Sequence, residues 1–265
     1  MKLLERAKHS IRVRREHREH LRRSRQTQEE YGQSPEFTQE FNAFKAAHQA
    51  VDRSEPVEWD ERYPCLQDKT TETPFDRHYL YHPAWAARVL ARTKPELHVD
   101  FSSSLTFCTM VSAFVPVRFY DFRPAPIVLD NLECGQADLT SLAFEDGAFS
   151  SISCMHVIEH IGLGRYGDPL DPEGDLKALK ELIRVLKPGG DLLVAVPVGR
   201  TRVQFNAHRI YDHVEFLSYA PGMKLIEFAL IPDDPAPDGY LRNPEDTLVR
   251  QQSYGCGCYW LRKEE

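Results

Sequence analysis

Glu159 and His160 lie a few residues past a short apolar run, SSISCM at 150–155, and are the first residues whose types suggest chemistry. An imidazole has the unperturbed pKa of a base that works near neutral pH. His208, in the group FNAHRIY at 205–211, is the rival base, with Asn206 and Arg209 beside it as substrate-binding candidates. A third reading keeps both histidines for holding substrate, with Glu159 and His160 bracing their loop. Between the two groups, three glycines surround Arg165 and Tyr166 in GLGRYGD at 162–168. This loop is read either as tight turns or as a lid whose Arg165 meets an anionic or sugar-like acceptor while Tyr166 stacks on it.

Three carboxylates point to the second reactant. Asp100, Asp121 and Asp138 each fall at or just past the end of an expected strand, the first three of the sheet. An acid closing the second strand is placed to accept from both hydroxyls of a ribose. One after the third is placed to meet an exocyclic amine such as that of adenine. The first strand-to-helix turn reads DFSSSL at 100–105 and contains no glycine. Backbone approach to a pyrophosphate is therefore hindered, which argues against a dinucleotide and a nicotinamide-dependent oxidoreductase. A ligand without phosphate can be held by the hydroxyls of Ser102 and Ser103 and by turn amides.

These residues need strands and helices to position them. Expected strands lie at 97–101, 117–121, 131–136, 150–155, 191–197, 224–231 and 255–262, with helices near 104–114, 173–187 and 211–219. The alternation predicts an α/β fold with a mostly parallel sheet and helices on both faces. Leu176, Leu179, Leu182, Ile183 and Leu186 follow the spacing of one buried helical face, and Pro188-Gly189-Gly190 supplies the stop. The final pair of strands, joined by the acidic, proline-rich connection 232–246, is expected as an antiparallel hairpin on the sheet edge.

The chain divides by composition into a basic arm or tail (1–30), an aromatic-rich helical extension (31–95) and the α/β domain (96–265). Residues 1–25 carry ten Lys/Arg against three Glu, +7, so a whole-chain charge of −7 leaves −14 on the remainder. The arm is read as a solvated helix or tail, or as a segment meeting anionic lipid headgroups. Nucleic acid is not expected, because the body is acidic and the arm lacks interleaved aromatics. Helices are expected near 36–51 and 83–93. Between them PFDRHYLYHP at 74–83 is read as a loop filling the core edge or as a cap over the ligand pocket. Six scattered cysteines fit reduced thiols rather than a disulfide framework. Cys256 and Cys258 have no second Cys or His pair at ligand spacing, so no metal is assigned. No apolar run reaches the roughly 18 residues a membrane span needs. With no secretory signal at the N-terminus, the cytoplasm is the expected location, with peripheral contact at the inner face of the membrane open to the arm.

The succession HVIEH (156–160), a helix, RVLKPGG (184–190) and LLVAVP (192–197) resembles the fourth-to-fifth-strand block of class I S-adenosylmethionine-dependent methyltransferases. DLTSLAFED at 138–146 is similar to that superfamily's segment leading from the adenine-contacting acid into the fourth strand. The continuations IGLGRYGDP (161–169) and FNAHRIY (205–211) resemble a branch that includes proteins from bacterial surface-polysaccharide gene clusters. The resemblance implies a Rossmann-like, seven-stranded sheet and S-adenosylmethionine over the ends of strands one to four. It places Asp100 and Ser102 beside the methionine portion, Asp121 on the ribose hydroxyls, Asp138 and Leu139 on the adenine, and His156 beside the cofactor. The implied activity is methylation, at a hydroxyl, of a small or glycan-linked acceptor. The competing expectation is a methyltransferase-fold binding or scaffold protein of polysaccharide machinery that has lost turnover.

Overall fold

A computed structural model describes residues 34–51, 53–65 and 68–265, and the chain falls into two compact units, Met1–Pro74 and Phe75–Glu265. The basic arm lies outside the described residues. In the first unit, helix α1 (Pro35–Gln49) starts where the Ser34 hydroxyl accepts from the Phe37 amide at 3.2 Å, with Pro35 at the first helical position. None of its residues is buried. Phe41 meets Trp59 edge-on at 4.9 Å, and the Arg62 guanidinium covers the same indole at 4.3 Å.

The second unit opens with α2 (Arg77–Thr93), six residues ahead of the expected start at 83. The segment 77–83 is therefore helix rather than loop. Asp76 caps it by accepting from the Tyr79 amide at 3.1 Å, and Pro83 is tolerated inside because Trp85, Val89 and Leu90 bury one face against the sheet. Trp85 Nε1 also donates to Glu227 Oε1 at 2.8 Å. The α2 helix, assigned to the extension by composition, thus forms part of the sheet unit's core.

Strands β1 (His98–Phe101), β2 (Val117–Asp121), β3 (Leu132–Gln136), β4 (Phe149–Met155) and β5 (Leu186–Val198) are mutually parallel. Helices α3 (Leu105–Val111) and α4 (Gly174–Val185) connect β1 to β2 and β4 to β5. Beyond β5 come a short hairpin, β6 (Arg202–Gln204) and β7 (His208–Ile210), helix α5 (His213–Ser218), β8 (Met223–Ile231), β9 (Leu241–Arg242), α6 (Asp246–Arg250) and β10 (Gly255–Lys263). The sheet order is β3-β2-β1-β4-β5-β10-β8-β9. Strand β10 runs antiparallel to both neighbours, so it sits inside the sheet rather than at its edge. The edge position falls to β9, two residues from the acidic connection, which makes eight strands rather than seven. The result is a mixed α/β, Rossmann-like fold.

Alternate strand residues feed two cores. Leu192, Val194 and Val196 pack with Leu179 and Leu182 of α4 and Phe216 of α5. Leu193 and Ala195 pack on the opposite face with Trp85 and Leu90 of α2 and Phe107 of α3. Helix α4 ends two residues earlier than expected, because Pro188 biases Lys187 toward extended backbone. Among the described residues no helix is long and apolar enough to cross a membrane.

Candidate active site

The carboxyl ends of β1 to β4 open on a cavity of ≈340 Å³ lined by Ser102, Asp121, Asp138, Leu139, His156 and His160, among others. At the first turn Ser102 takes φ 59°, the left-handed backbone that glycine usually supplies, and its amide donates to the Tyr120 carbonyl at 2.8 Å. Asp100 and Ser103 do not line the cavity. The Asp100 carboxylate is fully buried, accepting from the Ser103 amide at 3.0 Å and from the Ser153 hydroxyl. Ser103 Oγ in turn accepts from the Met155 amide at 2.9 Å. Burial pushes the Asp100 carboxyl up to about 6, against the opposing hydrogen bonds of Ser153 and Ser103. These two residues position the serine turn.

Asp121 and Asp138 do reach the cavity. Asp121 Oδ1 accepts from the Arg123 amide at 2.7 Å, and Asp138 Oδ1 from the Thr140 amide and hydroxyl at 2.8 and 2.7 Å. Each acid is thereby fixed by its own turn while Oδ2 keeps no donor among the described residues. Leu139, which is buried, supplies an apolar wall.

Beyond β4 the chain turns sharply at His156, φ 56°. His156 Nδ1 lies 2.8 Å from Glu159 Oε1, and Nε2 lies 3.2 Å from Cys256 Sγ. Glu159 is fully buried and lines neither cavity, and its Oε2 has no hydrogen-bond partner among the described residues. His160 Nδ1 meets the Ala207 carbonyl at 2.6 Å, and that carbonyl also accepts from Arg165 Nη1 at 3.2 Å. Arg165 Nη1 also lies 3.3 Å from Nδ1, but the much shorter contact is to a carbonyl, which only accepts, and it assigns the proton to Nδ1 and the lone pair to Nε2. That Nε2 stands 3.7 Å from Glu159 Oε1. Burial lowers the His160 pKa, more than the Glu159 carboxylate raises it.

A second cavity of ≈400 Å³ adjoins the first and shares His156 and His160 with it. Its walls include Arg165, Asn206, His208, Tyr79 and Tyr254. His208 Nε2 is engaged by Gln204 Oε1 and its ring packs against Tyr254 at 4.7 Å. Burial lowers its pKa, and His160 adds to the effect. Asn206 sits at the tip of the β6–β7 hairpin with φ 62°, its Nδ2 donating to the Leu163 carbonyl at 3.4 Å. Tyr166 lines the first cavity and lies within cation–π range of Arg123 and Arg165, at 5.0 and 5.1 Å.

Arg209 is placed otherwise than expected. It is buried and lines neither cavity. Its Nη1 donates to the Ile161 carbonyl at 2.7 Å, Nη2 to Asp171 and Pro172 carbonyls at 3.3 and 3.2 Å, and Nε lies 3.4 Å from Asp175 Oδ1. This guanidinium ties both ends of the 161–172 loop to β7. Gly162 makes the same loop possible, because a Cβ there would come 2.0 Å from the Asp171 carbonyl oxygen.

Sequence reasoning missed Tyr79, Tyr254 and Cys256 as neighbours of the site. Tyr79 sits in PFDRHYLYHP, whose capping reading was the available signal. Tyr254 and Cys256 reach the site only because β10 enters the sheet beside β5, which strand spacing does not reveal.

A family described as "Caenorhabditis protein of unknown function, DUF268" matches residues 141–229, less than half the chain. No curated protein matches the sequence. Among solved structures, the chain is similar to the Burkholderia thailandensis 1,6-didemethyltoxoflavin-N1-methyltransferase bound to 1,6-didemethyltoxoflavin and S-adenosylhomocysteine. Identity is 11%, the match covers 74% of this chain and 94% of that one, and the TM-score is 0.49. The N-methyltransferase NodS of Bradyrhizobium japonicum matches at 12% identity, 71% and 97% coverage and a TM-score of 0.48. The YcgJ protein of Bacillus subtilis matches at 13% identity, 70% and 99% coverage and a TM-score of 0.48. At 11–13% identity these likenesses carry neither substrate nor chemistry over to this chain.

Proposed function

We propose that this chain transfers the methyl group of S-adenosylmethionine to a hydroxyl of a small or glycan-linked acceptor. The observation that carries the reading is the junction between the two cavities, where His160 belongs to both. The first cavity suits a nucleoside: Asp121 and Asp138 each offer an unengaged carboxylate oxygen at strand ends, for the ribose hydroxyls and the adenine amine, with Leu139 against the ring. Ser102 gives the turn the backbone conformation it needs without glycine, which weighs against a degenerate, binding-only module.

When bound, S-adenosylmethionine supplies a sulfonium-activated methyl group. The protein's work is to hold the acceptor in line and take its proton. His160 Nε2 is the group available for that proton, since Nδ1 is committed to Ala207. The imidazolium that forms has the Glu159 carboxylate 3.7 Å away to offset its charge. Tyr79 and Tyr254 give the acceptor cavity flat apolar faces of the kind a sugar ring packs on, and Arg165 and Asn206 add donors at its rim. The resemblance of 161–169 and 205–211 to proteins of surface-polysaccharide clusters is the support for a glycan-linked acceptor.

The test is transfer of label from methyl-labelled S-adenosylmethionine to a panel of free sugars and nucleotide sugars. Label recovered as base-stable O-methyl ether supports the reading. Binding of the cofactor with no label transferred to any sugar would return the chain to the binding-module alternative.

A further inference from the structure

Three side chains with metal-ligand chemistry converge beside the second cavity from elements far apart in sequence. They are His78 in the first turn of α2, His156 after β4, and Cys256 at the start of β10. One donor atom of each lies within 4.8 Å of the other two. His156 Nε2 and Cys256 Sγ are 3.2 Å apart. Bond lengths of about 2.0–2.1 Å to nitrogen and about 2.3 Å to sulfur put such donors roughly 3.6 Å apart around a tetrahedral zinc ion. The observed pair needs to open by only a few tenths of an ångström.

Two further observations point to a bound ion. Metal-bound imidazoles ordinarily donate their second nitrogen to a carboxylate, which fixes the tautomer and aims the lone pair at the metal. Here His156 Nδ1 stands 2.8 Å from Glu159 Oε1, leaving Nε2 directed at Cys256, and Glu159 is fully buried. The other observation is His82, one turn along α2 from His78. It is fully buried, its ring centre is 5.0 Å from that of His156, and both its ring nitrogens lack a hydrogen-bond partner among the described residues. Buried polar atoms without partners are rare, and one next to three convergent ligands marks a place where a further group belongs.

We propose that His78, His156 and Cys256 hold a zinc-class divalent cation, with His82 the nearest further donor for the fourth position. Imidazole and thiolate together favour zinc over the harder cations that prefer oxygen. Coordination releases the Cys256 thiol proton to solvent and leaves the thiolate on the metal. Such an ion pins the start of α2 and the start of β10 to the end of β4, where Tyr79, Tyr254 and His156 wall the second cavity. The site stands independently of the methyl-transfer reading.

The experiment is metal content of the full chain after chelation, reconstitution with zinc and desalting, alongside absorption of the cobalt(II)-substituted protein. One zinc per chain is expected, with a thiolate-to-cobalt charge-transfer band. Cys256→Ser should abolish the band, and His78→Gln should lose the retained metal. Cys258→Ser should keep both, although its sulfur lies 3.8 Å from Cys256 Sγ. Circular dichroism reports folding, and if Cys256→Ser does not fold, the half-buried His78 variant decides. Absence of retained zinc and of the cobalt band in the unaltered chain overturns the site and leaves the cluster as an aromatic stack, with the His78 ring 5.3 Å from those of both His156 and Tyr254. Metal that survives in folded His78→Gln, or is lost equally in Cys258→Ser, overturns the ligand assignment.

Discussion

His160 Nδ1 lies 2.6 Å from the Ala207 carbonyl oxygen, so the hairpin after β5 sets the tautomer of a histidine after β4. His160→Asn keeps a donor for that carbonyl and removes the basic nitrogen. Turnover should fall by about 10²–10⁴-fold, the usual worth of a positioned base. Affinity for S-adenosylhomocysteine should change little. If His208→Asn produces the larger loss of turnover, the base is His208.

The pH dependence follows from the same burial. His160 is held below the ordinary histidine range, chiefly by desolvation. A base must be neutral to accept a proton, so kcat/KM should rise with pH through a pKa below about 6.5 and be level at neutrality. His160→Asn should remove that acidic limb. A limb centred above 6.5 would show that the Glu159 carboxylate outweighs burial.

Stability should carry a signature of Asp100. Burial raises its folded pKa to about 6 from 3.8, so between those values the folded state holds a proton the unfolded state lacks. Stability from this group therefore grows as pH falls through 6 and is complete below about 3.8. His98, held at about 3 by burial between Ser151 and Ser153, has the opposite sign and loses stability as pH falls below about 6.5. Asp100→Asn leaves the histidine slope unopposed. Urea titrations should find the variant losing up to about 3 kcal/mol relative to the unaltered chain between pH 7 and pH 4. A difference constant over that range would mean an unshifted carboxyl.

Arg209 separates a structural role from a substrate-binding one. Arg209→Ala leaves buried Asp175 without its charge partner and the Ile161, Asp171 and Pro172 carbonyls without that donor. The expected loss is about 3–5 kcal/mol in chemical denaturation. A loss below about 1 kcal/mol together with a raised KM for the acceptor would restore the substrate role.

Much of the fold was legible because its signals are local. The α4 stripe through Leu179 and Leu182 and the strand-end acids depend only on periodicity and on where strands stop, whereas Leu176 at one end of the expected stripe is exposed and Leu186 at the other opens β5. Sheet order is a long-range property, so nothing in GCGCYW reveals that β10 enters between β5 and β8 instead of closing the edge. The same limit affects the site. Residue type singled out Asp121, Asp138 and His160, which line the first cavity, but it cannot tell an acid turned outward from one turned inward, as Asp100 is, nor a substrate arginine from a loop clamp, as Arg209 is. Pro83 misled for a related reason: its local cost is outweighed by the packing of Trp85 and Leu90.

The deciding measurement is calorimetric titration of S-adenosylhomocysteine into the full chain. Binding should be one-to-one, and Asp121→Ala should weaken it at least tenfold, about 1.4 kcal/mol, with the fold intact. No heat of binding at millimolar ligand, or an affinity that Asp121→Ala leaves unchanged, would contradict the proposed function.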